Sequence, residues 1–266
     1  MKIGFLGAGK MAEAIASALV QTGFDPQNIV ACDKSKERRA LMAKQYKVAV
    51  TDCPLETAKA CGVLVLGVKP QDLDALLADL KAHLVARHLL ISIAAGKTLA
   101  SLKKAAGAKP RIVRVMPNLA LMVQEGMSAF CAAPNAKPAD KRLVKQIFGC
   151  AGAVLELPEK HFDAVTALSG SGPAFVAFML NAMIEAAAAL KLPKDAARLL
   201  AEQTFIGTGI YLQNTGRDIG EFIQAVASPK GTTAAGLAVL EQSDIKTVLA
   251  QTLTAAAERS AELRKG

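Results

Sequence analysis

The sequence predicts an α/β domain with a mainly parallel sheet over residues 1–157, followed by an all-helical domain over residues 158–266. Three observations carry that reading. Short apolar runs alternate with helical patterns of roughly 10–15 residues through the first half, the signature of βαβ units. The alternation stops near Leu157 and Pro158. Beyond it the chain reads as almost continuous helix rich in alanine, which combines high helix propensity with little bulk.

Taken in order, residues 2–6 form an apolar run ending at Gly7, and a helical pattern follows over 10–22. A second run covers 28–32, before a helix over 36–45. Residues 47–50 suit a short strand and 55–60 a short helix. The run 63–68 is a third strand, closed at Lys69 and Pro70 because proline cannot donate to a ladder. Residues 72–83 are helical, and 89–93 form a buried strand that ends in the turn Ala94, Ala95, Gly96. A helix over 99–105 precedes the strand 111–116, stopped by Pro117. From His161 onward helices are broken at 169–172, Pro193, 215–220 and 228–233.

Composition narrows the class. The chain has 266 residues, 52% apolar and 21% charged, and so suits a well-buried globular protein. A net charge of +9 invites comparison with nucleic-acid binders, but the basic residues are scattered and there is no Trp to stack on bases. No nucleic-acid partner is expected. Five cysteines without a C-x-x-C pair indicate neither a disulfide framework nor a zinc site. The three histidines lie in no metal-ligand spacing, so no metal is expected. The N-terminus lacks the charged region and cleavage site of a secretory signal, which points to the cytoplasm. Residues 173–190 carry one formal charge, Glu185, near the lower length limit for a membrane span. Asn181 and Glu185 within it favour a helix buried in a domain or dimer core, so no membrane partner is expected.

In a parallel sheet of this kind ligands bind beyond the carboxyl ends of the strands. The turns at 7–11, 33–35, 67–70, 94–96 and 116–118 are therefore the candidate site. The first, Gly7-Ala8-Gly9-Lys10-Met11-Ala12, fits G-x-G-x-x-A directly after a strand and at the opening of a helix. Gly7 permits the tight turn, Gly9 lets backbone approach a pyrophosphate, and Ala12 lets helix and strand pack closely. The pattern is that of a Rossmann unit, with phosphates at the helix N-terminus. Asp33 lies at the end of the second strand, where an acidic residue accepts a hydrogen bond from a ribose 2′-OH and favours NADH. Lys34 and Ser35 follow at once, and either can meet the 2′-phosphate of NADPH. Asp33 can equally cap the next helix. The sequence leaves the choice of dinucleotide open.

Six segments in order extend this reading to one family. They are the turn 7–12; Val68-Lys69-Pro70; Ser92-Ile93-Ala94-Ala95-Gly96; Arg114-Val115-Met116-Pro117-Asn118; Ser169-Gly170-Ser171-Gly172-Pro173-Ala174; and Ser228-Pro229-Lys230-Gly231-Thr232-Thr233. Together they make the chain resemble the pyrroline-5-carboxylate reductases over essentially its whole length. The resemblance implies a helical C-terminal dimerisation domain, a homodimer with larger assemblies of dimers known in the family, and NADPH- or NADH-dependent reduction of 1-pyrroline-5-carboxylate to L-proline. Gly7, Ala8, Gly9, Lys10, Met11, Asp33, Lys34, Ser35, Gly67, Val68, Lys69, Pro70, Ala94, Ala95, Gly96 and Asn118 would contact the dinucleotide. Ser228, Gly231, Thr232, Thr233 and Ser171 would hold the small imino acid, with Lys69 and Thr233 in catalytic roles. A related cyclic imino acid, or a cofactor-binding regulatory dimer without turnover, are the alternative readings. The β-hydroxyacid dehydrogenases share the architecture but require a lysine inside the helical domain, where Lys191 and Lys194 flank Pro193 near a helix end.

The sequence also departs from the family. Lys230 stands where a glycine is usual, Leu119-Ala120 replaces Thr-Pro, Ile223-Gln224 replaces Lys-Asp, and Pro54 replaces an Asn. A positive φ at position 230 would strain a lysine.

Overall fold

A computed structural model describes residues 1–264. Contacts divide the chain into two units, Met1–Ser171 together with the chain from Ala256 onward, and Gly172–Ala255. The boundary read from the sequence, at 157, marks the end of the last strand. The first unit continues past it because Phe162 and Ala167 are buried.

The first unit is built on strands β1 (Ile3–Leu6), β2 (Ile29–Cys32), β3 (Ala49–Thr51), β4 (Val63–Leu66), β5 (Leu89–Ser92), β6 (Arg111–Pro117), β7 (Gly126–Ala132) and β8 (Gly152–Glu156). Their helices are α1 (Lys10–Gln21), α2 (Lys36–Tyr46), α3 (Pro54–Ala60), α4 (Pro70–Leu80), α5 (Leu99–Ala106) and α6 (Pro138–Gly149). The sheet runs β3-β2-β1-β4-β5-β6-β7-β8. Strands β1 to β6 are parallel; β7 runs antiparallel to β6, and β8 is parallel to β7. The mainly parallel sheet expected from the sequence is therefore present. The reading missed β7, α6 and β8, which continue the sheet beyond Pro117.

Successive residues of the central strands point to opposite faces, and each face has its own core. Ile3, Phe5, Val63, Val65, Leu89 and Ile91 pack with Ile15, Leu19 and Phe148 of α1 and α6. Leu6, Leu64, Leu66 and Leu90 pack with Leu73, Leu77 and Leu102 of α4 and α5. Two buried faces explain why these strands are continuously apolar rather than alternating.

Most polar groups buried in this unit are paired; the Ser128 hydroxyl and the Arg111 Nε are exceptions. Arg114, on β6, is 2% exposed and would be costly alone. Its guanidinium donates to Glu159 at 2.9 Å and lies 4.6 Å from the centre of the Phe162 ring. The same Glu159 oxygen accepts from the Leu99 N–H at 2.8 Å, at the first residue of α5. His88 is also buried. Its Nδ1 accepts from the Val85 N–H, and its Nε2 lies 2.9 Å from the Ala58 carbonyl, so the ring fits as the neutral Nε2–H tautomer.

The chain continues as α7 (Phe162–Val165), a π-helical turn over Thr166–Gly170, α8 (Gly172–Ala189), α9 (Lys194–Thr215), α10 (Ile219–Val226), α11 (Thr232–Gln242) and α12 (Ile245–Leu263). The first unit is closed by the end of α12, where Ser260 donates to Asp163 at 2.9 Å and Arg264 pairs with the same carboxylate. In the second unit α8 packs against α9. Yet none of α8 is buried, and large apolar side chains such as Phe178, Leu199 and Val239 are each about two-thirds exposed or more. The run Glu159–Ala189 is long and apolar enough to cross a membrane by length and composition alone.

Two measurements check this account. Burial holds the His88 pKa below its ordinary value, with the Ala58 carbonyl opposing and Arg87 assisting. A lowered folded-state pKa gives stability that is complete above the unfolded value and lost as pH falls through the folded one. Melting temperature should therefore drop more steeply between about pH 7 and pH 5 in the natural chain than in His88→Gln. Glu159→Ala leaves the Arg114 charge unpaired and should cost about 2–3 kcal/mol in urea unfolding.

Candidate active site

The site begins with a close approach of backbones at the mouth of the sheet. Gly7 follows β1 with φ of 95°, a conformation that favours glycine. A Cβ there would lie 2.6 Å from the Val68 nitrogen and 2.7 Å from the Gly67 carbonyl carbon. A Cβ on Gly67 would in turn lie 2.8 Å from the Gly7 oxygen and 3.2 Å from the Ala12 Cβ. Both glycines and the small Ala12 are thus required by packing. Gly9 differs. A Cβ on it would meet nothing within 4 Å. It is the N-cap of α1, without a side-chain cap bond, so open space lies over the unpaired N–H groups of the first helical turn. That is the opening a pyrophosphate needs. Ala8 is buried, with its N–H and carbonyl taken by Asp33 and Arg38; Met11 packs against the core and offers backbone rather than its side chain, and Lys10 is exposed.

A cavity of about 500 Å³ opens beside this turn. Gly7 and Gly9 line it from β1, Asp33 and Lys34 from β2, Asp52 and Pro54 after β3, and Gly67, Val68 and Lys69 after β4. Asp52 was missed in the sequence, although it follows a strand by the same rule that selected Asp33. Lys69 is exposed and serves as the backbone N-cap of α4.

The turn after β2 is tied to the glycine turn by hydrogen bonds. Asp33 accepts from the Ala8 N–H at 2.7 Å and from the Ser35 N–H at 2.9 Å. Helix α2 is capped by Ser35, which accepts from the Arg38 N–H, and not by Asp33. Arg38 reaches back to the Ala8 carbonyl and to Glu13.

Other sequence candidates lie outside this cavity. Ala95, Gly96 and Pro70 line a second one, of about 790 Å³, with Lys97 and Leu263. Gly96 has φ of 75°, and a Cβ on it would lie 3.2 Å from the Leu263 oxygen. Ala94 is buried. Asn118, after β6, accepts from the Met127 N–H at 3.1 Å, while its amide nitrogen is 3.5 Å from the Ser169 hydroxyl in the π-helical turn. The Ser171 N–H closes that turn onto the Thr166 carbonyl at 2.8 Å.

In the second unit, residues 228–231 form the turn that starts α11. The Gly231 N–H donates to the Ser228 carbonyl at 3.0 Å, and a Cβ on Gly231 would lie 2.4 Å from the Ser228 hydroxyl oxygen. Gly231 caps α11 with no side-chain bond, so the first N–H groups of that helix are free of an intrahelical partner. Lys230 does adopt φ of 60°, the left-handed conformation suspected from the sequence.

Cysteine chemistry is absent from this picture. The five thiols are free, and burial raises those of Cys32, Cys61 and Cys131, the last to about 12. No group of three metal-ligating side chains occurs among the described residues.

Comparison with known proteins supplies the family. Residues 159–263 match the pyrroline-5-carboxylate reductase dimerisation family, and residues 2–96 match a family described as NADP oxidoreductase, coenzyme F420-dependent. A pyrroline-5-carboxylate reductase of Arabidopsis thaliana is 38% identical over 98% of this chain and 95% of its own length. This chain belongs to the pyrroline-5-carboxylate reductase family. A solved reductase of that name from Coxiella burnetii superposes with a TM-score of 0.97 at 34% identity, covering 100% of this chain and 99% of the other. The Plasmodium falciparum pyrroline carboxylate reductase, solved with NADP bound, superposes at 0.87 with 30% identity over 99% and 98% of the two chains.

A pair of substitutions separates the roles of the two turn glycines in this reductase. Gly7→Ala should destabilise the fold by about 3 kcal/mol through strain and overlap. Gly9→Val should leave the melting temperature of the unliganded protein unchanged but weaken nicotinamide dinucleotide binding by roughly tenfold or more, read by fluorescence titration.

Proposed function

We propose that this chain reduces 1-pyrroline-5-carboxylate to L-proline, with a reduced nicotinamide dinucleotide as hydride donor. Full-length similarity to proteins of that name carries the reading, and the open glycine turn of the first unit supports it. The residues fit a dinucleotide, since Gly9 leaves free exactly the space a side chain would fill.

When bound, the dinucleotide supplies the hydride that adds to the C=N carbon. The chain's own part is to bind and orient. The N–H groups of residues 9–11 hold the pyrophosphate, those of Gly7 and Ala8 being given to the Cys32 carbonyl and to Asp33, and Lys69 lines the same cavity. The substrate is a small ring with one carboxylate, and the start of α11 is suited to that anion. Its free N–H groups and the hydroxyls of Ser228, Thr232 and Thr233 are donors, and Gly231 leaves room for the Ser228 hydroxyl beside them. Ser171 is assigned to the same substrate. Fixing the carboxylate restricts the ring to one pose, and positioning carries much of the rate in such a transfer. A protonated imine is already a good hydride acceptor, so no strong general acid is needed.

The exposed apolar helices of the second unit support a homodimer, which can associate further into larger assemblies. Their burial against a second copy, within the family's dimerisation region, accounts for the apolar run Glu159–Ala189 without a membrane. A cytoplasmic enzyme is the consequence.

Oxidation of NADH or NADPH on adding pyrroline-5-carboxylate tests the proposal, with a six-membered cyclic imino acid run alongside. Nucleotide binding without turnover of either imine would overturn it. Thr233→Ala should raise KM for the imine by roughly tenfold while moving KM for the nucleotide little, and Thr233→Ser should restore most of the loss.

A further inference from the structure

We propose that this reductase selects the dinucleotide without a 2′-phosphate, NADH over NADPH, and that Asp33 makes the choice. The inference rests on the reductase reading and adds the identity of its hydride donor.

The end of β2 is where the adenosine ribose of a Rossmann-bound dinucleotide lies. The sequence offered both signs of charge there, and the structure shows how each group is committed. Ser35 donates its hydroxyl hydrogen to Glu37 at 2.7 Å and accepts from the Arg38 N–H at 3.1 Å. Arg38 is spent on the Ala8 carbonyl and Glu13. Arg39 donates to the carbonyls of Asp33 and Lys34 and pairs with Asp52 at 3.3 Å. Among the described residues lining this end of the cavity, Lys34 is the one cation left. Pro54, at the start of α3, has no N–H to give a phosphate.

Asp33 stands on the other side of the balance. Its Oδ2 accepts from the Ala8 N–H and its Oδ1 from the Ser35 N–H, so the carboxylate is held at the cavity wall by two backbone donors. Each oxygen keeps a lone pair for a further donor. A ribose diol has two such donors. A 2′-phosphate is acceptor and anion, with nothing to donate to a carboxylate, and would be repelled by it. Asp72 and Asp79 add to the repulsion, Asp52 being paired with Arg39, against Lys34 and Lys69 as the cations of the same lining.

The test compares NADH with NADPH on the full chain in two ways. Fluorescence titration without imine reads binding alone, and kcat/KM with saturating pyrroline-5-carboxylate reads use. Both should favour NADH by roughly tenfold or more, and ADP-ribose should compete better than its 2′-phosphorylated form. Asp33→Asn should move the NADH:NADPH ratio toward NADPH by a similar factor, with an unchanged melting temperature confirming that it folds. Equal or tighter binding of NADPH by the natural chain would overturn the inference, whatever the variant does. An unchanged ratio in a folded Asp33→Asn would remove Asp33 from the choice. NADH-selective binding without imine turnover would sustain this inference while removing the reductase reading.

Discussion

Two strand ends pass each other at the mouth of the sheet with only backbone between them. The Gly7 carbonyl oxygen would lie 2.8 Å from a Cβ on Gly67, and the Val68 nitrogen 2.6 Å from a Cβ on Gly7. This contact falls between β1 and β4, neighbours in the sheet but not in sequence, where the order of a doubly wound sheet reverses. The chain leaves β1 for α1 on one core and β4 for α4 on the other. A side chain at either glycine would push the strand ends apart, and the opening above Gly9 would lose its floor. Binding at this site is a consequence of close packing beneath it.

Much of this was legible. Strands β1, β2, β4, β5 and β6 announce themselves as short apolar runs because both of their faces are largely buried, whereas β3, at the sheet edge, is short and exposed. The missed elements have weaker signals for a physical reason. β7 reads Gly-Met-Ser-Ala-Phe-Cys-Ala, with one aromatic and no β-branched residue, and β8 is only partly buried. Only a 3-10 turn separates β6 from β7, so the alternation of strand and helix breaks there before α6 restores it to β8. Site positions were legible to the extent that they follow strands. What side chains do at those positions was not. Ser35 looks available in sequence and is consumed by local bonds, whereas Asp33, also read as a helix cap, instead braces the glycine turn.

The two units solve stability differently. The first buries a sheet between two cores and pairs its buried charge, Arg114, with Glu159 under the Phe162 ring. The matched segment 114–118 is therefore divided: its arginine supports the fold, and its asparagine faces the π-helical turn. The second unit carries its apolar residues outward, and alanine-rich helices alone do not build a core large enough to cover them. Lys230 fits the same contrast. Its left-handed backbone costs about 1 kcal/mol relative to glycine, at an exposed turn rather than in a packed one.

Asp163 binds Ser260 and Arg264, nearly a hundred residues further along. On the ribosome, the dinucleotide unit can assemble its sheet early, but this last set of bonds waits until the final turn of α12 has left the exit tunnel. The whole helical segment from α8 to α12 is therefore made before the unit is sealed, and a chain stopped short of it would carry an assembled sheet with the Asp163 carboxylate unpaired.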